Sequence, residues 1–252
     1  MRKNDIQAKD MALALVLLTR LPLPHLPADA FQRQAKAVWA FPLAGLAVSL
    51  PAALLAALAL AAGLPAMVAA GLALAVQVML TGAMHEDGLA DTADGLWGGF
   101  TRERRLEIMK DSRIGAYGVI ALILGFGLRW SALAALLQVA GPWVLLPLAM
   151  LSRAVMPALM AALPNARAAG LSQTVGRPRA LPCLLAALLA IGLSLPVIGA
   201  AALATALAIG AAAAGLGVLA KAKIGGQTGD ILGAAQQTAE IAGLLTLLAI
   251  CG

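Results

Sequence analysis

Seven stretches of this chain are long, apolar and almost free of charge: residues 38–62, 64–84, 115–138, 142–161, 181–198, 200–220 and 231–250. A helix needs about 20 apolar residues to cross the ~30 Å hydrocarbon core of a bilayer. Runs of this length and number restrict the chain to a membrane-embedded helix bundle. The expected fold is all-α, a polytopic transmembrane bundle of about seven spans forming a single integral membrane domain over residues 1–252. Charged residues make up 12% of the chain, too few to cover a soluble domain of this length, so the lipid bilayer is the solvent for most of the surface. Ala, Leu, Val and Gly dominate the apolar positions. Small residues among them let helix backbones approach closely, which is how helices associate in lipid.

The segment Met11–Leu18 is too short to span, and Arg20 with Pro22, Pro24 and Pro27 ends it. It reads as an interfacial or re-entrant element. Arg2 and Lys3 before it and Ala28-Asp29-Ala30 after it have the layout of a signal peptide. Asp5 and Asp10 in the would-be basic region, and Arg20 with the prolines, speak against cleavage.

The short turns Gly63-Leu64-Pro65, Val139-Ala140-Gly141-Pro142 and Pro196-Val197-Ile198-Gly199 hold no Lys or Arg. The long connections carry nearly all the positive charge: of 18 basic residues, only Arg129 and Arg153 fall inside the apolar runs. Under the positive-inside rule the long connections are cytoplasmic, with the N-terminus inside and the C-terminus outside. The net charge of +6 then reflects topology, and no nucleic-acid partner is expected. Cys183 and Cys251 sit in apolar runs without Cys-x-x-Cys spacing, so neither a disulfide nor a thiolate metal site is expected. Most acids share the basic face, which places any chemistry there.

The stretch from His85 to Gly99 concentrates that chemistry. On a helix, Asp87, Asp91 and Asp94 recur at i, i+4 and i+7 and share one face. Carboxylates held this close call for a cation, and hard oxygen ligands favour Mg²⁺ or Mn²⁺, commonly shared with substrate phosphates. Gly88, Gly95, Gly98 and Gly99 are poor helix residues that suit close approach of a ligand to the backbone. The alternative is a solvated helix end. A basic stretch follows, with Arg102, Arg104, Arg105, Lys110 and Arg113. Arg102 and Arg104 fit ordinary membrane anchoring. Arg105, Lys110 and Arg113 suit the non-metal oxygens of a metal-bound diphosphate.

A third stretch, Lys221 to Ala234, puts Gly225, Gly226 and Gly229 before a helix whose N-terminus suits an anion. Asp230 is either a site residue or that helix's N-cap. Asp230, Ala234 and Gln237 share a face, with Glu240 partly turned away. Glu240 and Arg153 lie within apolar runs, where a charge is costly and commonly functional. Arg153 is a candidate partner for Glu240 or for a loop acid. His85 is a further candidate, with a polar interface role as its alternative.

Three runs carry a resemblance: Glu86-Asp-Gly-Leu-Ala-Asp-Thr-Ala-Asp-Gly-Leu-Trp-Gly-Gly99, Met109-Lys-Asp-Ser-Arg-Ile-Gly-Ala-Tyr-Gly118 and Gly225-Gly-Gln-Thr-Gly-Asp230. In this order, with the early Leu18-Thr19-Arg20-Leu21-Pro22 segment, the chain resembles the cobalamin synthase (adenosylcobinamide-GDP ribazoletransferase) family. The resemblance implies that an alcohol of α-ribazole, or of its 5′-phosphate, attacks the cobinamide-side phosphorus of adenosylcobinamide-GDP and GMP leaves. It implies dependence on Mg²⁺ and a place in the bacterial inner membrane. Asp87, Asp91 and Asp94 would hold the metal on the diphosphate, with Asp230 completing the catalytic set. Glu86 would be the base or a further ligand. Arg105, Lys110 and Arg113, with Gly225 and Gly226, would serve the phosphates. An oligomer is compatible with all of this. Two other classes share features with the chain. Asp91-Thr-Ala-Asp94-Gly matches part of the signature of CDP-alcohol phosphotransferases, but Leu96-Trp97-Gly98-Gly99 departs from its continuation. A cation transporter would place its acids mid-bilayer beside broken helices.

Overall fold

A computed structural model describes residues 6–252. Arg2, Lys3 and Asp5, which bear on the signal-peptide question, lie outside the described residues. The elements are helical: α1 (Lys9–Leu18), α2 (Gln34–Ala37), α3 (Phe41–Ala61), α4 (Ala66–Thr81), α5 (Met84–Gly98), α6 (Arg102–Ile108), α7 (Ala116–Val139), α8 (Leu145–Ala162), α9 (Leu171–Val175), α10 (Ala180–Ile198), α11 (Ala201–Ile224) and α12 (Gly229–Cys251). Among the described residues there is no strand, only a parallel bridge between Asn165 and Gln227. Among the described residues, six segments are long and apolar enough to cross a membrane, namely Ala28–Ala61, Ala116–Val139, Pro142–Ala162, Ala180–Ile198, Ala201–Ile224 and Gly229–Cys251; α4 with α5 makes a seventh only as a bent pair. The all-α polytopic bundle expected from the apolar runs is the fold observed.

The bent pair refines the second span. Residues 64–84 do not form one helix. Gly82 (φ 64°) and Ala83 (φ 58°) both adopt the left-handed conformation, and α5 leaves at 87° to α4. Positive φ is routine for Gly and costs Ala energy, so the surroundings must hold this corner. At 1.5 Å per residue α4 is only about 24 Å long, short of a full crossing. The acidic stretch therefore lies on a separate helix that turns across the bundle.

Packing runs through small residues. α8 is the most enclosed span, with 83% of its apolar window buried, against 17% for α10 and 28% for α11. A Cβ on Gly45 of α3 would stand 2.3 Å from the Ala149 carbonyl oxygen of α8, so only Gly permits that approach. Ala52, Ala53 and Ala56 of α3 lie in one buried cluster with Ala69, Ala70 and Ala73 of α4.

α1 spans about 15 Å and cannot cross the core. A buried carboxylate pins it. Asp10 accepts a bidentate pair from Arg33 (Nε to Oδ1 2.8 Å, Nη2 to Oδ2 2.9 Å) and a bond from Trp39 Nε1 at 3.1 Å. Burial pushes this carboxyl up, but the bonds from Arg33, Trp39 and the Gln7 amide, with the charge of Arg33, more than offset it and hold the carboxyl below its usual range. A lowered folded-state value means a stabilisation complete above the ordinary carboxylate value and lost as pH falls through the folded one. Asp10→Asn should therefore lower Tm in detergent at neutral pH, and its gap to wild type should close below about pH 3.9. A gap that stays constant across that range contradicts the pinning role.

Candidate functional site

The site begins where α5 crosses α12. A Cβ on Gly88 would fall 2.8 Å from the Asp230 carbonyl oxygen, and one on Gly233 would fall 3.3 Å from the Met84 carbonyl oxygen. The glycine expected to admit a ligand thus admits the α12 backbone. The crossing brings Asp230 beside the acids of α5, from more than 130 residues away in sequence.

The acids of α5 divide by direction. Glu86 points into the bundle and is buried. Its Oε1 accepts from Arg129 Nη1 and from Gln237 Nε2, both at 3.0 Å. Arg129, 2% exposed, also donates to Glu240 Oε1 at 2.9 and 3.2 Å, to Gln237 Oε1 at 2.8 Å and to Gln77 Oε1 at 3.3 Å. Glu240 Oε2 accepts from Gln236 Nε2 at 2.6 Å. The hydrogen-bonded partner of Glu240 is therefore Arg129; Arg153, which the sequence offered as a partner of Glu240 or of a loop acid, acts on Glu240 and Glu86 only through space. Arg153 is buried too; its Nη1 donates to the Ala149 carbonyl at 3.1 Å. Glu86 Oε2, His85 Nε2 and Arg153 Nε are buried without a hydrogen-bond partner among the described residues.

Asp94 faces α7. Its Oδ2 accepts from the Gly115 amide at 2.7 Å and its Oδ1 from the Gly118 amide at 2.8 Å. A carboxylate on the first amides of a helix is stabilised by the dipole. A Cβ on either glycine would lie within 2.5 Å of an Asp94 oxygen, so a larger residue there would push the carboxylate off these amides.

The carboxylates of Asp87 and Asp91 form no hydrogen bond or ion pair with any described residue, and Asp91 lies within electrostatic reach of Asp87, Asp230, Arg167 and Asp94. Asp87 and Asp230 line a cleft of about 170 Å³ with Asn165, Arg167 and Gln227. Arg167 Nη1 donates to Asp230 Oδ2 at 2.8 Å. The N-cap of α12 is Thr228, whose Oγ1 accepts from the Ile231 amide at 3.2 Å, so Asp230 is not the cap. Asp87 also lines a second cleft of about 690 Å³, where Thr19, Arg20 and Gln34 supply polar groups. Among the described residues, no three His, Cys, Asp or Glu side chains are grouped to hold a metal ion.

The other expected residues sit apart from this cleft. Arg105 Nη1 donates to the Lys223 carbonyl at 3.0 Å and Arg102 Nε to the Ile224 carbonyl at 2.8 Å, so both close the C-terminal end of α11. Lys110 and Arg113 are exposed on the surface, and Arg113 pairs with Asp111 at 3.1 Å. Gly225 (φ 82°) ends α11. Gly226 lies so close to the Pro164 carbonyl that a Cβ would sit 2.1 Å from its oxygen. That approach lets the Gln227 amide donate to the Pro164 carbonyl and the Ala166 amide to the Gln227 carbonyl, both at 2.8 Å, which sets Asn165 and Arg167 beside Asp230.

Residues 10–248 match the family of cobalamin-5-phosphate synthases. The chain belongs to this family. It is 49% identical to the adenosylcobinamide-GDP ribazoletransferase of Bradyrhizobium diazoefficiens, over 95% of this chain and 93% of the relative. It is 44% identical to the proteins of that name from a Sinorhizobium species and from Rhizobium meliloti, over 92% of this chain and 93% of each relative. No solved structure matches. Cobalamin-5-phosphate synthases are enzymes, and these relatives favour neither the lipid phosphotransferase nor the cation transporter.

Sequence reasoning missed Arg129 and Arg167. Arg129 carried the same signal as Arg153, a charge inside an apolar run. Arg167 was one basic residue among many in a connection, and only its contact with Asp230 distinguishes it. Removing Arg129 leaves two buried carboxylates against the single charge of Arg153 and without their hydrogen bonds to Arg129, a loss of about 3–5 kcal/mol. Arg129→Leu should therefore yield little folded protein in detergent, and Arg129→Leu/Glu240→Gln, which leaves Arg153 to balance Glu86, should recover part of it. Equal loss in both proteins contradicts charge balance as the cause.

Proposed function

We propose that this chain is an adenosylcobinamide-GDP ribazoletransferase. A hydroxyl of α-ribazole or of its 5′-phosphate attacks the cobinamide-side phosphorus of adenosylcobinamide-GDP. The new O–P bond forms as the bond to the GMP oxygen breaks, giving adenosylcobalamin or its 5′-phosphate, and GMP. The observation that carries this reading is the convergence of Asp87, Asp230 and Arg167 on one cleft from distant parts of the chain, with Asp91 within electrostatic reach of all three. Such chemistry asks a protein for positioning and charge stabilisation more than for covalent participation.

The donor set suits Mg²⁺, which is commonly held by one or two carboxylates together with substrate phosphates. Asp91 and the Asp230 oxygen not bonded to Arg167 would hold it, and when bound it would offset charge on the diphosphate. Arg167 is placed to take phosphate oxygens of the GMP side, exchanging its contact with Asp230 for the substrate. Asp87 lines both clefts, so it is the carboxylate positioned to accept the proton of the attacking hydroxyl. The larger cleft gives room for the second substrate beside the first. Glu86 is committed to Arg129, and it sets the angle of α5 rather than touching substrate. The basic connections support an orientation in which the site faces the cytoplasm of a bacterium, with the chain in its inner membrane.

The purified full chain, given adenosylcobinamide-GDP, α-ribazole 5′-phosphate and Mg²⁺, should release GMP with formation of the cobalamin product. Asp230→Asn should keep expression and Tm, because Thr228 holds the cap, yet lower kcat/KM at least about a hundredfold, roughly 2.7 kcal/mol. Wild-type protein that releases no GMP under these conditions contradicts the assigned reaction. Near-normal turnover in Asp230→Asn contradicts its place in the site.

A further inference from the structure

Away from the acidic cleft, an apolar groove of about 560 Å³ runs between α8, α10 and α11 and shares no residue with that cleft. Its walls are small and apolar, with Ala158, Ala187, Gly210 and Ala214 among them. Lys221 is the one charged residue on those walls among the described residues. A Cβ on Gly210 would meet nothing within 4 Å, so no protein atom fills the groove there. Along α8 the groove extends from Leu151 to Leu163. That is roughly 18 Å at 1.5 Å per residue, close to one leaflet's share of the ~30 Å hydrocarbon core.

One end of the groove is basic. Lys221 sits in the last turn of α11. Arg177 donates from Nε to the Ala161 carbonyl at 2.8 Å, next to the groove residues Ala162 and Leu163. Arg179 is the N-cap residue of α10. Three elements thus bring cations to the end where α8 and α11 finish and α10 begins. Among the described residues, no acid lies on the groove walls.

We propose that this groove binds an acyl chain of an anionic phospholipid of the surrounding membrane, with the lipid phosphate held at Lys221 and Arg177. An empty apolar groove facing lipid forfeits dispersion contacts along its whole length, and a hydrocarbon chain restores them. The basic rim selects the headgroup. Cations beside the membrane surface attract anionic lipids, and the long Lys stem reaches headgroup depth while its methylenes stay apolar. A second copy of this chain would bury the apolar walls but would leave the basic rim without counter-charge.

The full chain can be extracted from nanodiscs holding equal amounts of phosphatidylglycerol and phosphatidylcholine and weighed by native mass spectrometry. Wild type should retain phosphatidylglycerol in preference. Each basic residue near the surface is worth about a fivefold factor in anionic-lipid attraction, so Lys221→Gln with Arg177→Gln should cut retained phosphatidylglycerol roughly 25-fold. Gly210→Leu, which fills the groove without touching the rim, should lower retention of both lipids. Equal retention of the two lipids by wild type overturns the proposal. So does undiminished retention in Gly210→Leu, or efficient cross-linking of two copies through Gly210→Cys in the bilayer.

Discussion

Arg129 ties together four helices that otherwise meet largely through small apolar side chains. It stands on α7 and bonds to Gln77 of α4, Glu86 of α5 and Gln237 and Glu240 of α12. Removing an ion from water costs several kcal/mol, so a charge at this depth persists only where partners surround it. Two arginines and two glutamates share the same interior, which balances the cluster. The consequence for α5 is directional. Once Glu86 is fixed on Arg129, Asp87 is turned about 100° around the helix, and Asp91 follows one turn later on the face of Asp87. An inward ion pair thereby sets which acids face the cleft.

The second constraint is backbone contact. Gly88 and Gly233 let α5 and α12 cross closely enough for Asp230 to join the α5 acids. Several cations that a sequence reader would offer to a phosphate are spent on helix ends instead. Arg102 and Arg105 take the last carbonyls of α11, and Lys223 donates to the Leu96 carbonyl of α5 at 2.7 Å. Cations at helix C-termini are favoured by the dipole, so these clasps hold α5, α6 and α11 in register. Among the described residues, Arg167 is the one cation on the walls of the smaller cleft, paired there with Asp230.

Much of this was legible in the sequence, for physical reasons. Lipid demands apolar runs of spanning length, so the spans showed themselves, and the helical spacing of Asp87 and Asp91 placed them on one face. The 87° corner was hidden, because Ala83 gives no sign of adopting a left-handed conformation. The bonding of Asp94 was hidden too. Its spacing matched the other acids, and only the fold brings the Gly115 and Gly118 amides to it. Arg153 and Arg129 were equal on the page, each a lone charge in an apolar run. Which one meets Glu240 depends on the rotation of α7 and α8, a quantity no local pattern encodes.

The central claim is that the start of α12 and the acidic helix α5 form one catalytic unit. The most direct measurement is a double-mutant cycle on GMP release, with Asp91→Asn, Asp230→Asn and the pair. Residues that act as a unit give strongly non-additive losses. The account predicts that the double variant is little slower than the slower single variant. Losses in kcat/KM that multiply would mean independent sites and would contradict it.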